Sequence, residues 1–125
     1  MPDADLQAIF DTLRGLMAEY TPPLVPKKDG PQACDLWSLK DVVVDGRRRK
    51  EVYFCGLVRY STYVGFYFMP VYAEENLKAV FSPQLLALLK GKSCFHLRRL
   101  DESLTEDICR ALQAGYQLYV ERGWV

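Results

Sequence analysis

The sequence predicts an α+β domain, with one antiparallel sheet of about four strands packed against N- and C-terminal helices in the order α-β-β-β-α-α-β-α. Three observations predict it. The chain opens with an apolar stripe at helical spacing, its middle is crowded with aromatic residues in strand-like runs, and its end returns to helical spacing. Strands grouped in the middle and helices at the ends describe one sheet covered by helices.

Leu6, Ile9, Phe10, Leu13, Leu16, Met17 and Tyr20 recur at three- and four-residue steps and mark the first helix. Asp3 or Asp5 can cap its start, and Thr21-Pro22-Pro23 stops it, because a residue before proline avoids the helical region. A Pro-rich loop over 22–33 follows, long enough to be either a functional segment or a plain crossover. Leu36 to Val44 is β-prone and meets Asp45-Gly46, a hairpin signal, with the return strand from about Glu51 to Arg59. A third strand runs from about Tyr63 to Met69 after a turn at Ser61-Thr62. Alternation puts Val64, Phe66 and Phe68 on one face and Tyr63, Tyr67 and Met69 on the other. Pro70 ends this strand, and Glu74 to Phe81 reads as a short helix. Ser82-Pro83 opens another, whose apolar face is Leu85, Leu86, Leu88 and Leu89 and whose end is Lys90-Gly91. Ser93 to Leu97 is the last strand. Ser103-Leu104-Thr105-Glu106 reads as a capping box, and Leu104, Ile108, Leu112, Gly115 and Tyr119 form the buried stripe of the final helix. Gly123 ends that helix, and Trp124-Val125 is expected to fold back.

Composition narrows the functional classes. The 125 residues fit a single domain over 1–125, large enough to fold without a disulfide or metal staple. The 16 basic and 16 acidic side chains cancel, which argues against a general nucleic-acid binder. The acidic start, Met1-Pro2-Asp3-Ala4-Asp5, is unlike a secretory leader. No apolar run approaches the roughly 20 residues that span a bilayer. A cytoplasmic location and no membrane partner are therefore expected. Cys34, Cys55, Cys94 and Cys109 form no C-x-x-C pair and read as reduced, mostly buried thiols.

The segment from Lys90 to His96 holds the densest chemistry. Its Gly-Lys-Ser resembles a phosphate loop, but Leu86 stands where that motif needs a glycine, and the order is helix-to-strand. Cys94 and His96, two apart on a strand, share a face and could act as a thiol–imidazole pair or as two metal ligands. A zinc site needs further ligands, and there is no second histidine. The alternative is a buried cysteine beside a locally bonded histidine. Lys90, Lys92, Arg98 and Arg99 could concentrate positive potential at one sheet edge, or could be a solvated rim, as could Arg47-Arg48-Arg49-Lys50. Asp3, Asp5, Asp11 and Glu19 on the first helix make no tight oxygen cage. No cofactor and no metal ligand set is assigned.

The chain also resembles a family. Phe66-x-Phe68-x-Pro70-Val71-Tyr72, Ser82-Pro83-x-Leu85, Leu89-Lys90-Gly91-Lys92-Ser93-Cys94-Phe95-His96 and Tyr119-x-x-x-Gly123-Trp124 are similar to the YdhG-like domains of unknown function, over nearly the whole chain from about Leu6. The resemblance implies the α+β fold, a bacterial cytoplasmic protein and no particular catalytic residue. One branch of that family is described as frataxin-like iron chaperones with acidic iron-binding surfaces.

The expected function is binding without catalysis. Tyr63, Tyr67, Lys90, Lys92, Cys94 and His96 are the candidate ligand-binding residues, for a small anionic or aromatic molecule or for a second copy of the chain in a homodimer. The alternatives are an iron-binding chaperone and a thiol-dependent enzyme using Cys94 and His96.

Overall fold

The computed structural model describes residues 2–44 and 46–125, excepting the side chains of residues 2–4 and 75. In chain order the elements are α1 (Pro2–Ala18), β1 (Ala33–Ser38), β2 (Val42–Val44), β3 (Arg47–Arg49), β4 (Val52–Arg59), β5 (Val64–Phe68), α2 (Met69–Ala73), a 3-10 helix (Glu75–Val80), α3 (Pro83–Leu86), β6 (Leu89–Lys90), β7 (Cys94–Leu97) and α4 (Glu102–Glu121). The main sheet is antiparallel, with the order β1-β4-β5-β7-β6. The α+β architecture with helices at both ends is the one expected, with five strands in place of about four.

Both terminal helices bury the stripes that their periodicity marks. Leu6, Ile9, Phe10, Leu13 and Met17 are buried in α1, and Leu104, Ile108, Leu112, Gly115 and Tyr119 in α4. Capping by Asp3 falls outside the described side chains, and Asp5 lies exposed within the helix. Residues directly opposite across an antiparallel pair share a face. Cys34, Leu57, Phe66 and Phe95 therefore line up across four strands, all on the buried face. Val64, Phe66 and Phe68 lie there as alternation predicts, whereas Met69 leaves the strand to open α2.

The Pro-rich segment is a crossover bound along the outer edge of β1. Val25 and Trp37 exchange two backbone bonds of 2.8 Å, and Asp35 Oδ1 accepts from the backbone N–H groups of Lys27 and Lys28 at 2.8 and 2.9 Å. This arrangement covers an edge that would otherwise be open to pairing.

The structure corrects three local expectations. The run from Leu36 to Val44 is two strands. β1 stops at Ser38, whose hydroxyl donates to Trp124 O at 2.5 Å, and β2 pairs with β3 in a separate ribbon. The return of the hairpin is thus Arg47–Arg49, before Glu51. Asp45 lies outside the described residues, and Gly46 has φ +78°, a region that favours glycine. Next, Lys90-Gly91 is not a helix end. α3 closes after Leu86, and Leu89 and Lys90 pair with Phe95 and Cys94 as an edge strand. The leucines suited either element, because one half-buried face serves a helix or a strand. Lastly, the cap of α4 is Asp101, which accepts from Leu104 N–H at 2.8 Å; the Ser103 hydroxyl instead accepts from Gln84 at 2.8 Å.

Asp107 ties α3 to α4. It is 5% exposed and accepts from the Ser82 hydroxyl at 2.5 Å, from Gln84 at 2.6 Å and from Arg110. Ser82 also caps α3 through Leu85 N–H, as predicted. The Ser82 bond, helped by Gln84 and Arg110, holds the Asp107 carboxyl below the usual carboxylate range. A depressed folded-state pKa gives stability that is present above the unfolded value and lost as pH falls through the folded one. Urea unfolding at a series of pH values should therefore show less loss of stability below about pH 4 for Asp107→Asn than for the unaltered chain. Identical acid limbs would refute the assignment.

Candidate ligand-binding site

The sheet face turned away from the core carries most of the candidate residues. Tyr67 stands opposite Cys94, which stands opposite Lys90, and Gly65 stands opposite His96. Cys94 and His96 share this face, as their spacing requires, yet they have different partners. The Cys94 thiol is hydrogen-bonded with the Tyr67 hydroxyl, which lies 2.5 Å from the Tyr60 hydroxyl. His96 stacks on Tyr63 at 4.1 Å, and Tyr63 stacks on Tyr60 at 4.7 Å. The rings of Tyr60 and Tyr67 lie against Gly65, where an added Cβ would come within 3.1 and 3.2 Å of them. Lys92 does not join this group; its Nζ lies 5.6 Å from the centre of the Tyr72 ring.

This column has limited chemistry to offer. Tyr63 already has a ring on each face, so a ligand would meet ring edges. Burial pushes the Cys94 thiol up, and the Tyr67 hydrogen bond only opposes it. A thiol nucleophile needs the reverse shift. Burial likewise raises Cys34, to about 11, and Cys55 well above its ordinary value. Cys34 and Cys55 are buried, while Cys94 and Cys109 are half-buried, and all four are free. Among the described residues, no group of three or more His, Cys, Asp or Glu side chains is placed to hold a metal.

A different place has the geometry of a pocket. The end of β1, the start of β4 and the end of β5 meet at one end of the sheet, where antiparallel pairing brings them together. The ribbon, α2 and the C-terminus close around that end, leaving a cavity of about 540 Å³. Its aromatic walls are Trp37, Tyr53, Tyr72, Tyr119 and Trp124, and Arg49 and Arg122 reach it too.

Local structure holds each wall in position. A bulge in β4 sets the first pair: Leu36 stands opposite Cys55 but Trp37 opposite Tyr53, so Phe54 is the extra residue. Phe54 and Cys55 are both fully buried, and Tyr53 is returned to Trp37, with the two rings edge to face at 5.0 Å. The second pair forms because the chain turns back after Gly123. Trp124 N–H donates to Tyr119 O at 2.8 Å, and its ring meets Tyr119 edge-on at 5.0 Å. The Tyr119 hydroxyl donates to Tyr53 O at 2.6 Å and joins the two pairs. Burial pushes the Tyr53 and Tyr119 phenols up, so both stay neutral.

Charged groups frame these rings. Lys27 pairs with Glu51, and its Nζ lies 4.2 Å from the centre of the Trp37 ring. Arg122 pairs with Glu74 at 2.7 Å and lies 5.0 Å from the centre of the Trp124 ring. Among the described residues, the covered Trp37 Nε1 has no hydrogen-bond partner.

Sequence reasoning missed this cavity, because its walls come from four separate parts of the chain. One signal was present: the chain has two tryptophans, and both line it. No helix among the described residues is long and apolar enough to cross a membrane. Comparison with family models, with curated proteins and with solved structures finds no match to this chain.

Proposed function

We propose that this is a cytoplasmic, non-enzymatic binding domain that takes a small planar aromatic ligand in the cavity at the end of the sheet. The observation that carries the proposal is the cavity wall, in which two tryptophans and three tyrosines enclose about 540 Å³. That volume lies in the range of small-ligand pockets, roughly 300–1,000 Å³. The wall is mostly apolar with a few charged groups, which suits stacking with some polar orientation. Tyr72 is 57% exposed, with Lys92 Nζ 5.6 Å from the centre of its ring, so this wall of the cavity is reached from solvent. The resemblance to YdhG-like domains is compatible with this reading, since it supplies no catalytic residue.

Intrinsic fluorescence tests it directly, because every tryptophan in the chain lies at the site. A panel of small aromatic compounds should include members that quench or shift this emission saturably. Removing the Tyr72 ring (Tyr72→Ala) should weaken their binding by about tenfold, the scale of one aromatic contact. Compounds that bind by NMR but leave both tryptophans unperturbed would place the site elsewhere.

A further inference from the structure

We infer that the ligand carries an anionic oxygen group, a carboxylate or a phosphate, and that Arg49 receives it. The inference rests on the cavity being the binding site. The ionisable side chains at its wall, tyrosines aside, are Arg49, Arg122 and Glu51. Two of these are already neutralised, Glu51 by Lys27 and Arg122 by Glu74. Arg49 is exposed, and no ion pair to it is found among the described residues. The paired groups cancel, so the wall keeps one positive charge.

The register of the ribbon explains how Arg49 comes to be aimed there. Val42 stands opposite Arg49 and Val44 opposite Arg47, so these four side chains share a face. Val42 and Val44 pack against the core, which turns that face toward the body of the domain. Arg48 and Val43 take the other face. Val43 is 64% exposed, and Arg48 is held by both carboxylate oxygens of Asp41, at 3.1 and 2.8 Å. The ribbon thus ties one arginine to its own aspartate and leaves Arg49 beside an aromatic cavity. A guanidinium offers two parallel N–H donors to a carboxylate or phosphate, a stronger contact than a neutral hydrogen bond.

Matched pairs of probes isolate the charge from the ring. Nicotinate against nicotinamide, benzoate against benzamide, and phenyl phosphate against phenol would be titrated into the full chain, following tryptophan emission and heat. The anion of each pair should bind about tenfold more tightly at low salt, and added salt should narrow the gap. The carboxylate and phosphate arms show which group the site prefers. Arg49→Gln should bring the anion's affinity down to that of its neutral partner and leave the neutral partner unchanged. Arg48→Gln should change neither, and circular dichroism would confirm that both variants fold. Equal affinity within each pair overturns the inference but leaves the cavity reading standing. A preference that survives in Arg49→Gln overturns the role of Arg49. Failure of every probe to perturb the tryptophans overturns both readings.

Discussion

Replacing Phe54 with alanine is expected to destabilise the domain by about 3–5 kcal/mol, the range for truncating a fully buried phenylalanine. Phe54 is 0% exposed. Four rings surround it, those of Tyr119 at 5.2 Å, Phe68 at 5.7 Å, Tyr20 at 6.1 Å and Tyr116 at 6.3 Å. They come from the chain just after α1, from β5 and from α4. A hole walled by separate elements cannot collapse by moving one of them, so the cavity term adds to the lost transfer energy. Against a typical domain stability of about 5–15 kcal/mol, the loss is large and readable as a shift in urea midpoint. Phe54→Leu keeps most of the volume and should lose less. A loss under about 1 kcal/mol for alanine would show that Phe54 does not sit at the centre of the core.

Gly115→Ala should also destabilise, by about 1–3 kcal/mol, although the same change inside an ordinary helix stabilises by up to about 1 kcal/mol. The sign reverses because α4 crosses the end of β5 at Gly115. An added Cβ would lie 2.5 Å from Phe68 Cζ and 2.8 and 2.9 Å from ring carbons of Pro70. Neither neighbour yields easily: Phe68 is fully buried, and Pro70 is a buried rigid ring. Gly15 in α1 supplies the control. It is exposed, and nothing lies within 4 Å of its added Cβ, so Gly15→Ala should gain stability. Opposite signs for the two variants in one denaturation assay support the close crossing, and a stabilising Gly115→Ala would rule it out.

Elements governed by local periodicity were legible in the sequence. The stripes of α1 and α4, the alternation of Val64, Phe66 and Phe68, the Ser82 cap and the return of Trp124 all follow from spacing or from one residue's own conformational preference. Part of the candidate site was legible in the same way. Period two puts Cys94 and His96 on one face, and Tyr67 opposite Cys94 confirms that face as the tyrosine-bearing one. Their partners were not legible. Whether His96 meets a thiol or a tyrosine ring depends on how the turn between β4 and β5 places Tyr60 and Tyr63, and Lys92 points to Tyr72 because the short β6–β7 turn directs it there.

Tertiary structure decided the rest wherever two local solutions were nearly equal. Ser103 and Asp101 could each cap α4, and Gln84, brought in by α3, occupies the serine. Leu89 and Lys90 could extend a helix or edge a sheet, and the free edge of β7 takes them. Phe54 would point away from Cys55 in a regular strand, and the bulge opposite Trp37 turns it inward. The sequence by itself therefore determined the two terminal helices and the buried face of the sheet, because those arise from neighbours along the chain. Only the tertiary structure decided the cavity, because Trp37, Tyr53, Tyr72 and Trp124 become neighbours only when antiparallel pairing brings three strand ends together and the C-terminus folds across them.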